Sequence, residues 1–265
     1  MFEFFKSIWP KGKPPPSGAR MPDGQRVYAV GDIHGRLDLF DALIAAVEAD
    51  DAAAAPARTT MILLGDLVDR GADSAGVLAR AREWQQQREV RILAGNHEEM
   101  FLKSFTNIDI LRHFLRHGGR ETLLSFGVDR AAYNSATIEE VQALMHVHVA
   151  EEERAFIVGF EDMIALGDYL FVHAGIDPEL PIEEQKVSDL RWIREPFLSH
   201  DLPYEAMIVH GHTIAEHPVE TANRIGIDTG AYATGRLTAL VLEGTERRFI
   251  AAVADELGQV RIEHA

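Results

Sequence analysis

Short apolar runs punctuate the first hundred residues, and each ends in a polar block. Arg26-Val27-Tyr28-Ala29-Val30 leads into Gly31-Asp32-Ile33-His34-Gly35. Thr60-Met61-Ile62-Leu63-Leu64 leads into Gly65-Asp66-Leu67-Val68-Asp69-Arg70-Gly71, and Val90-Arg91-Ile92-Leu93-Ala94 into Gly95-Asn96-His97-Glu98. These runs read as strands. Between them, Leu37–Val47 carries apolar residues at helical spacing, and Ser74–Gln87 reads as a helix capped by Asp73 or Ser74. The Ala-rich stretch 50–57, with Pro56 near its end, reads as a connecting loop.

Residues 98–158 are mainly helical in pattern and form an insertion before the strands resume at 162–166 and 169–173. A helix and loop cover 183–200. Strands at 206–210, 224–228, 237–242, 247–253 and 259–262 complete the chain. A β/α half followed by a β-rich half predicts a mixed α/β fold of two stacked sheets flanked by helices.

In an alternating β/α chain the loops after the strands share one edge of the sheet, so the polar blocks converge there. They bring together Asp32, His34, Asp66, Asn96 and His97. Oxygen and imidazole donors without thiolate suit a pair of divalent metal ions, and such a pair serves hydrolysis.

The blocks resemble the GDxHG, GDxxDRG and GNHE signature of the calcineurin-like metallophosphoesterases. His173-Ala174-Gly175 and Gly211-His212-Thr213 continue the series, so the resemblance runs from about Val27 to about Leu242. Within that family the chain is most similar to the phosphoprotein (Ser/Thr) phosphatase branch of bacterial and phage type, which also includes the symmetrical diadenosine tetraphosphatases. The resemblance implies a four-layer αββα sandwich. It assigns Asp32 and His34 to one metal, Asn96, His173 and His212 to the other, and Asp66 to both, with a hydroxide between the ions as nucleophile. It makes Asp69 and His97 a catalytic dyad that protonates the leaving oxygen, and Arg70 a phosphate ligand. A second phosphate arginine is expected in Leu190-Arg191-Trp192-Ile193-Arg194, where Arg194 matches better than Arg191. His210 lies two residues before His212 on the same predicted strand face, but the family ligand follows the glycine. His117-Gly118-Gly119-Arg120-Glu121-Thr122-Leu123 resembles a GGxxTL stretch of the bacterial branch, near the site mouth.

Two departures bear on the branch. Ile214 stands where many metallophosphoesterases carry a second histidine, an absence shared with the phosphoprotein phosphatases. Ala94 stands where many Ser/Thr phosphatases have arginine before GNHE. The expected activity is that of a metal-dependent phosphomonoesterase acting on phosphoproteins or small phosphoesters. The alternatives are a symmetrical diadenosine tetraphosphate hydrolase and a non-catalytic phosphate-binding scaffold. Manganese is the expected ion, with iron or zinc compatible with the same donors.

Composition narrows the partners. A formal net charge of −16 and no long basic run disfavour nucleic acid. The absence of cysteine excludes disulfides and zinc–thiolate sites and fits the cytoplasm. Residues 1–25, with Phe2, Phe4, Phe5, Ile8 and Trp9 before a Pro-rich linker, read as a flexible tail on a single domain, 26–265. No stable membrane association is expected from it.

Overall fold

The structure is a computed structural model that describes residues 18–265. The aromatic tail segment lies outside the described residues. Strands β1 (Gln25–Val30), β2 (Arg58–Leu63) and β3 (Val90–Ile92) pair in parallel. On the other flank of β1 lie β9 (Arg236–Glu243), β10 (Glu246–Ala254) and β11 (Val260–His264), each antiparallel to its neighbour. The first sheet therefore runs β11-β10-β9-β1-β2-β3. The second runs β4-β5-β6-β8-β7, from Met163–Leu166, Tyr169–Val172, Met207–His210, Arg224–Gly226 and Val219–Glu220 respectively.

Alternation along the strands builds the layers, because successive side chains point to opposite faces. Val27 and Ala29 of β1, with Ile62 and Leu64, pack against Tyr169, Phe171, Val209 and Ile225 in the core between the sheets. Tyr28 and Val30, with Met61 and Leu63, face outward under Leu39, Phe40, Leu43, Val77 and Trp84. These come from helices α1 (Leu37–Ala53) and α2 (Ser74–Gln87). Leu170, Val172 and Ile208 face the opposite way, under Leu190 and Phe197. The result is the expected αββα sandwich.

The insertion comprises α3 (Asn96–Ser104), α4 (Ile108–Phe114), α5 (Arg120–Ser125), α6 (Arg130–Ser135), α7 (Ile138–His148) and α8 (Glu151–Val158), with a kinked turn at Leu115–Gly119. Two short helices follow, α9 (Val187–Trp192) and α10 (Ala231–Thr234).

Several boundaries differ from the sequence reading. Helix α1 continues to Ala53 through residues assigned to a loop, since alanine is the strongest helix former and the stop comes only near Pro56. The 224–228 strand ends at Gly226 and gains a two-residue partner, β7. Ala19 and Met21, placed in the tail on sequence, are buried in the core between the sheets, and Met21 N–H donates to the Gly244 carbonyl. Among the described residues no helix is long and apolar enough to cross a membrane.

Candidate active site

The candidate metal ligands, the expected dyad and Arg70 all follow strands, whereas Arg194 follows helix α9. Asp32 and His34 follow β1, Asp66, Asp69 and Arg70 follow β2, and Asn96 and His97 open α3 after β3. From the second sheet, His173 follows β5 and His212 follows β6. Backbone strain is concentrated here. His34, Asp66, Asp69, Arg70 and His212 have φ of 46°, 51°, 73°, 69° and 62°, and among the described residues no other non-glycine has a positive φ. Left-handed backbone is costly for such side chains and persists where surrounding contacts over-determine it.

The Asp66 carboxylate is central. Its Oδ2 lies 3.5 Å from His34 Nε2, and its Oδ1 lies 3.4 Å from His173 Nε2. Two donor sets therefore share it: His34, Asp66 and His97 on one side, and Asp66, His173 and His212 on the other. In each set the donor atoms lie within 4.8 Å of one another. The rings are oriented from behind: His34 Nδ1 bonds the Val68 carbonyl and His173 Nδ1 the Leu64 carbonyl, each at 2.8 Å, so both turn Nε2 inward. Asn96 Oδ1 joins the second set, 3.0 Å from His173 Nε2. His212 Nε2 is buried without a hydrogen-bond partner, as a nitrogen reserved for a metal would be. The donor set thus fits two divalent ions.

Asp32 is not part of either set. Its carboxylate accepts the His212 N–H at 3.1 Å, and a Cβ on Gly211 would overlap its Oδ1. Burial, Asp228 and Asp66 push the Asp32 carboxyl well above its ordinary range. For Asp66, burial acts upward, but His173, His97, His34 and His212 outweigh it and hold the carboxylate below its ordinary range. Burial and the neighbouring His173 push His212 down to about 3, which keeps its ring neutral and able to ligate.

The predicted dyad is formed: His97 Nδ1 lies 2.6 Å from Asp69 Oδ2, both side chains being buried. Burial acts to lower the His97 pKa, but Asp66 and Asp69 together raise it above the ordinary histidine value. Arg70 donates to His34 Nε2 at 2.8 Å and to His97 Nε2 at 2.9 Å, with its guanidinium over the Tyr232 ring. Arg70, Arg194, Asp66, Asn96, His97 and His212 line one cavity of about 380 Å³. Arg191 is instead tied to Asp162 at 2.6 Å and Glu99 at 3.3 Å. His210 also stays outside, its ring against Phe197 and its Nδ1 bonded to the Gly211 carbonyl. The shared strand face expected for His210 and His212 is lost because the strand ends at His210 and the backbone turns left-handed at His212.

The Calcineurin-like phosphoesterase family profile matches residues 25–232. The chain belongs to that family. Two relatives differ in their named activities. Serine/threonine-protein phosphatase 1 of Salmonella typhimurium is 29% identical over 220 residues, covering 81% of this chain and 90% of that protein. A symmetrical bis(5'-nucleosyl)-tetraphosphatase of Acidovorax is 34% identical over 160 residues, 60% of this chain and 47% of that protein. Among solved structures, a putative diadenosine tetraphosphatase superposes with a TM-score of 0.57 at 19% identity, covering 96% of both chains, which supports the fold. As a calcineurin-like phosphoesterase this chain is a hydrolase.

Sequence reasoning passed over three residues of the site. Glu98 is fully buried and accepts the backbone N–H groups of Asp66, Leu67 and Gly95 at 2.8–2.9 Å, tying the second block to the third. Burial and Asp66 raise it to about 7. Asp228 sits beside Asp32 at the end of β8, and burial raises it to about 6. Its sequence signal is weaker than that of Asp32 and Asp66: an apolar run closes on Asp228 in Ile225-Gly226-Ile227-Asp228, but without a glycine directly before the carboxylate. Tyr232 packs edge-on against His34 and carried no sequence signal.

Proposed function

We propose that the protein is a dinuclear-metal-dependent phosphomonoesterase of the Ser/Thr protein phosphatase kind. The observation that carries this reading is the Asp66 carboxylate lying between two donor sets, with His97 and two arginines on the same cavity. His34 and Asp66 would hold one ion, joined by Asp32 once its carboxylate turns from the His212 N–H, and Asp66, Asn96, His173 and His212 the other. When bound, such ions, manganese in this proposal, polarise phosphoryl oxygens and lower the pKa of water enough for hydroxide to form near neutral pH.

The chain's own groups do the rest. Arg70 and Arg194 hold the phosphoryl oxygens, the rigid guanidinium fork matching their geometry. Arg70 now serves the Nε2 atoms of His34 and His97; turned onto phosphate it releases both. His97 then carries a proton on Nε2 and gives it to the leaving oxygen, while Asp69 fixes the ring through Nδ1 and stabilises its charge.

Alignment across nearly the whole Salmonella phosphatase supports a phosphoprotein substrate. The second reading is a symmetrical dinucleoside tetraphosphatase. It is favoured by the exposed Trp192 and the His113–His117 ring pair, centroids 4.1 Å apart, on the cavity wall. Such flat faces suit a nucleobase. Purified protein in Mn²⁺ should release phosphate from a phosphoserine peptide faster than it cleaves diadenosine tetraphosphate. Cleavage of the dinucleotide with the peptide untouched would reverse the order.

A further inference from the structure

We propose that Thr122, carried in by the helical insertion, is a positioning residue for the Asp69–His97 pair; this rests on the reading of that pair as the acid. Thr122 is fully buried at the start of α5, 53 positions from Asp69 in sequence. Its hydroxyl donates to Asp69 Oδ1 at 2.6 Å and accepts the Asp69 N–H at 2.9 Å. Ser74 Oγ accepts the same N–H at 2.9 Å and stands 3.0 Å from Thr122 Oγ1. A hydroxyl has one proton, and that of Thr122 goes to the carboxylate, so Ser74 donates to Thr122. The two Asp69 oxygens are thus fixed separately, Oδ1 by Thr122 and Oδ2 by His97 Nδ1 at 2.6 Å.

The same segment holds the next residue. The Gly118 carbonyl accepts the Arg70 N–H at 3.2 Å. Gly118 has φ of 107°, and a Cβ there would press on the Arg70 backbone nitrogen. Asp69 and Arg70 are consecutive, both left-handed, and each is held by one residue of His117-Gly118-Gly119-Arg120-Glu121-Thr122. This accounts for a glycine and a threonine four apart in that stretch. The insertion is a clamp on the strained loop, and Thr122 is the part of it that sets the direction of the acid. Without its donor, the carboxylate turns about its own axis and the imidazole loses its aim at the leaving oxygen.

Thr122→Val preserves shape and removes the hydroxyl. For a phosphoserine peptide, whose leaving alkoxide needs a proton, kcat should fall roughly ten-fold or more with KM unchanged, part of the ~10²–10⁴ attributed to general acid catalysis. The loss should be smaller for p-nitrophenyl phosphate, whose leaving group needs little protonation. Thr122→Ser should restore most of the rate, and Thr122→Cys, a weaker donor, should fall between. If the valine variant does not fold, the serine-to-cysteine step carries the test. A readout apart from turnover is the far-downfield proton resonance of His97 Nδ1–H in metal-free protein, retained in Thr122→Ser and displaced in Thr122→Val. Equal losses on both substrates, or an unmoved resonance, would overturn the proposal. His97→Asn, measured in parallel, separates the two failures. If it shows no leaving-group dependence, the acid reading fails and takes this inference with it. If it does while Thr122→Val does not, only the positioning role fails.

Discussion

Two histidines separated by one glycine end in opposite environments. His212 presents an unpaired, buried Nε2 to the cavity, whereas His210 packs against Phe197 and bonds its own neighbour's carbonyl. Strand alternation alone puts them on one face; the left-handed φ at His212 separates them. Metal counting on purified variants should find His212→Ala short of one ion per chain and His210→Ala fully loaded. The opposite pattern would reverse the assignment. Asp66, Asn96, His97 and His212, which converge on the cavity, were legible in the sequence because each sits in a short block closing an apolar run. The pairings of Thr122 with Asp69 and of Asp228 with Asp32 were not, because the partners are distant in sequence and are chosen by packing rather than spacing.

The elements were legible where periodicity is local, as in α2, whose cap, expected at Asp73 or Ser74, is Asp73, accepting the Gly76 N–H. The end of α1 was not, since beside the helix propensity of its alanines its extra turn is anchored by tertiary polar contacts that the sequence order does not show. Asp51 bonds Arg26 at 2.8 Å and Thr59 at 2.7 Å, and Asp50 bonds Arg248, joining the helix to β1, β2 and β10. Burial acts to raise the Asp51 pKa, but Thr59, Arg26 and Arg88 outweigh it and hold it below the ordinary value. A depressed folded-state pKa contributes stability that is full above the unfolded value near ~3.9 and is lost as pH falls through the folded one. Asp51→Asn should therefore cost about 1.5–3 kcal/mol at pH 7, the range for hydrogen bonds to charged groups. The gap from wild type should close below about pH 4. Denaturant midpoints measured at both pH values check this, and a gap that persists in acid would assign the cost to packing instead.

Across the whole molecule, the β/α half was legible as a parallel sheet because strand and helix alternate in order. The β-rich half was not, because its strands, parallel in β5-β6-β8 and antiparallel elsewhere, can return to either sheet. Here β9, β10 and β11 cross back to β1 while β4–β8 form the second sheet, and only that division brings His173 and His212 opposite His34 and Asp66. A chain of net charge −16 meets anionic phosphoesters through a cavity where Arg70 and Arg194 line the wall. Bound cations would turn the local potential further in the substrate's favour. The central claim is that two ions sharing Asp66 are required for phosphoester hydrolysis. Its most direct test is turnover of p-nitrophenyl phosphate by metal-depleted protein as Mn²⁺ is titrated in. The account predicts no turnover before addition and a full rate at two equivalents per chain; full turnover by the depleted protein would contradict it.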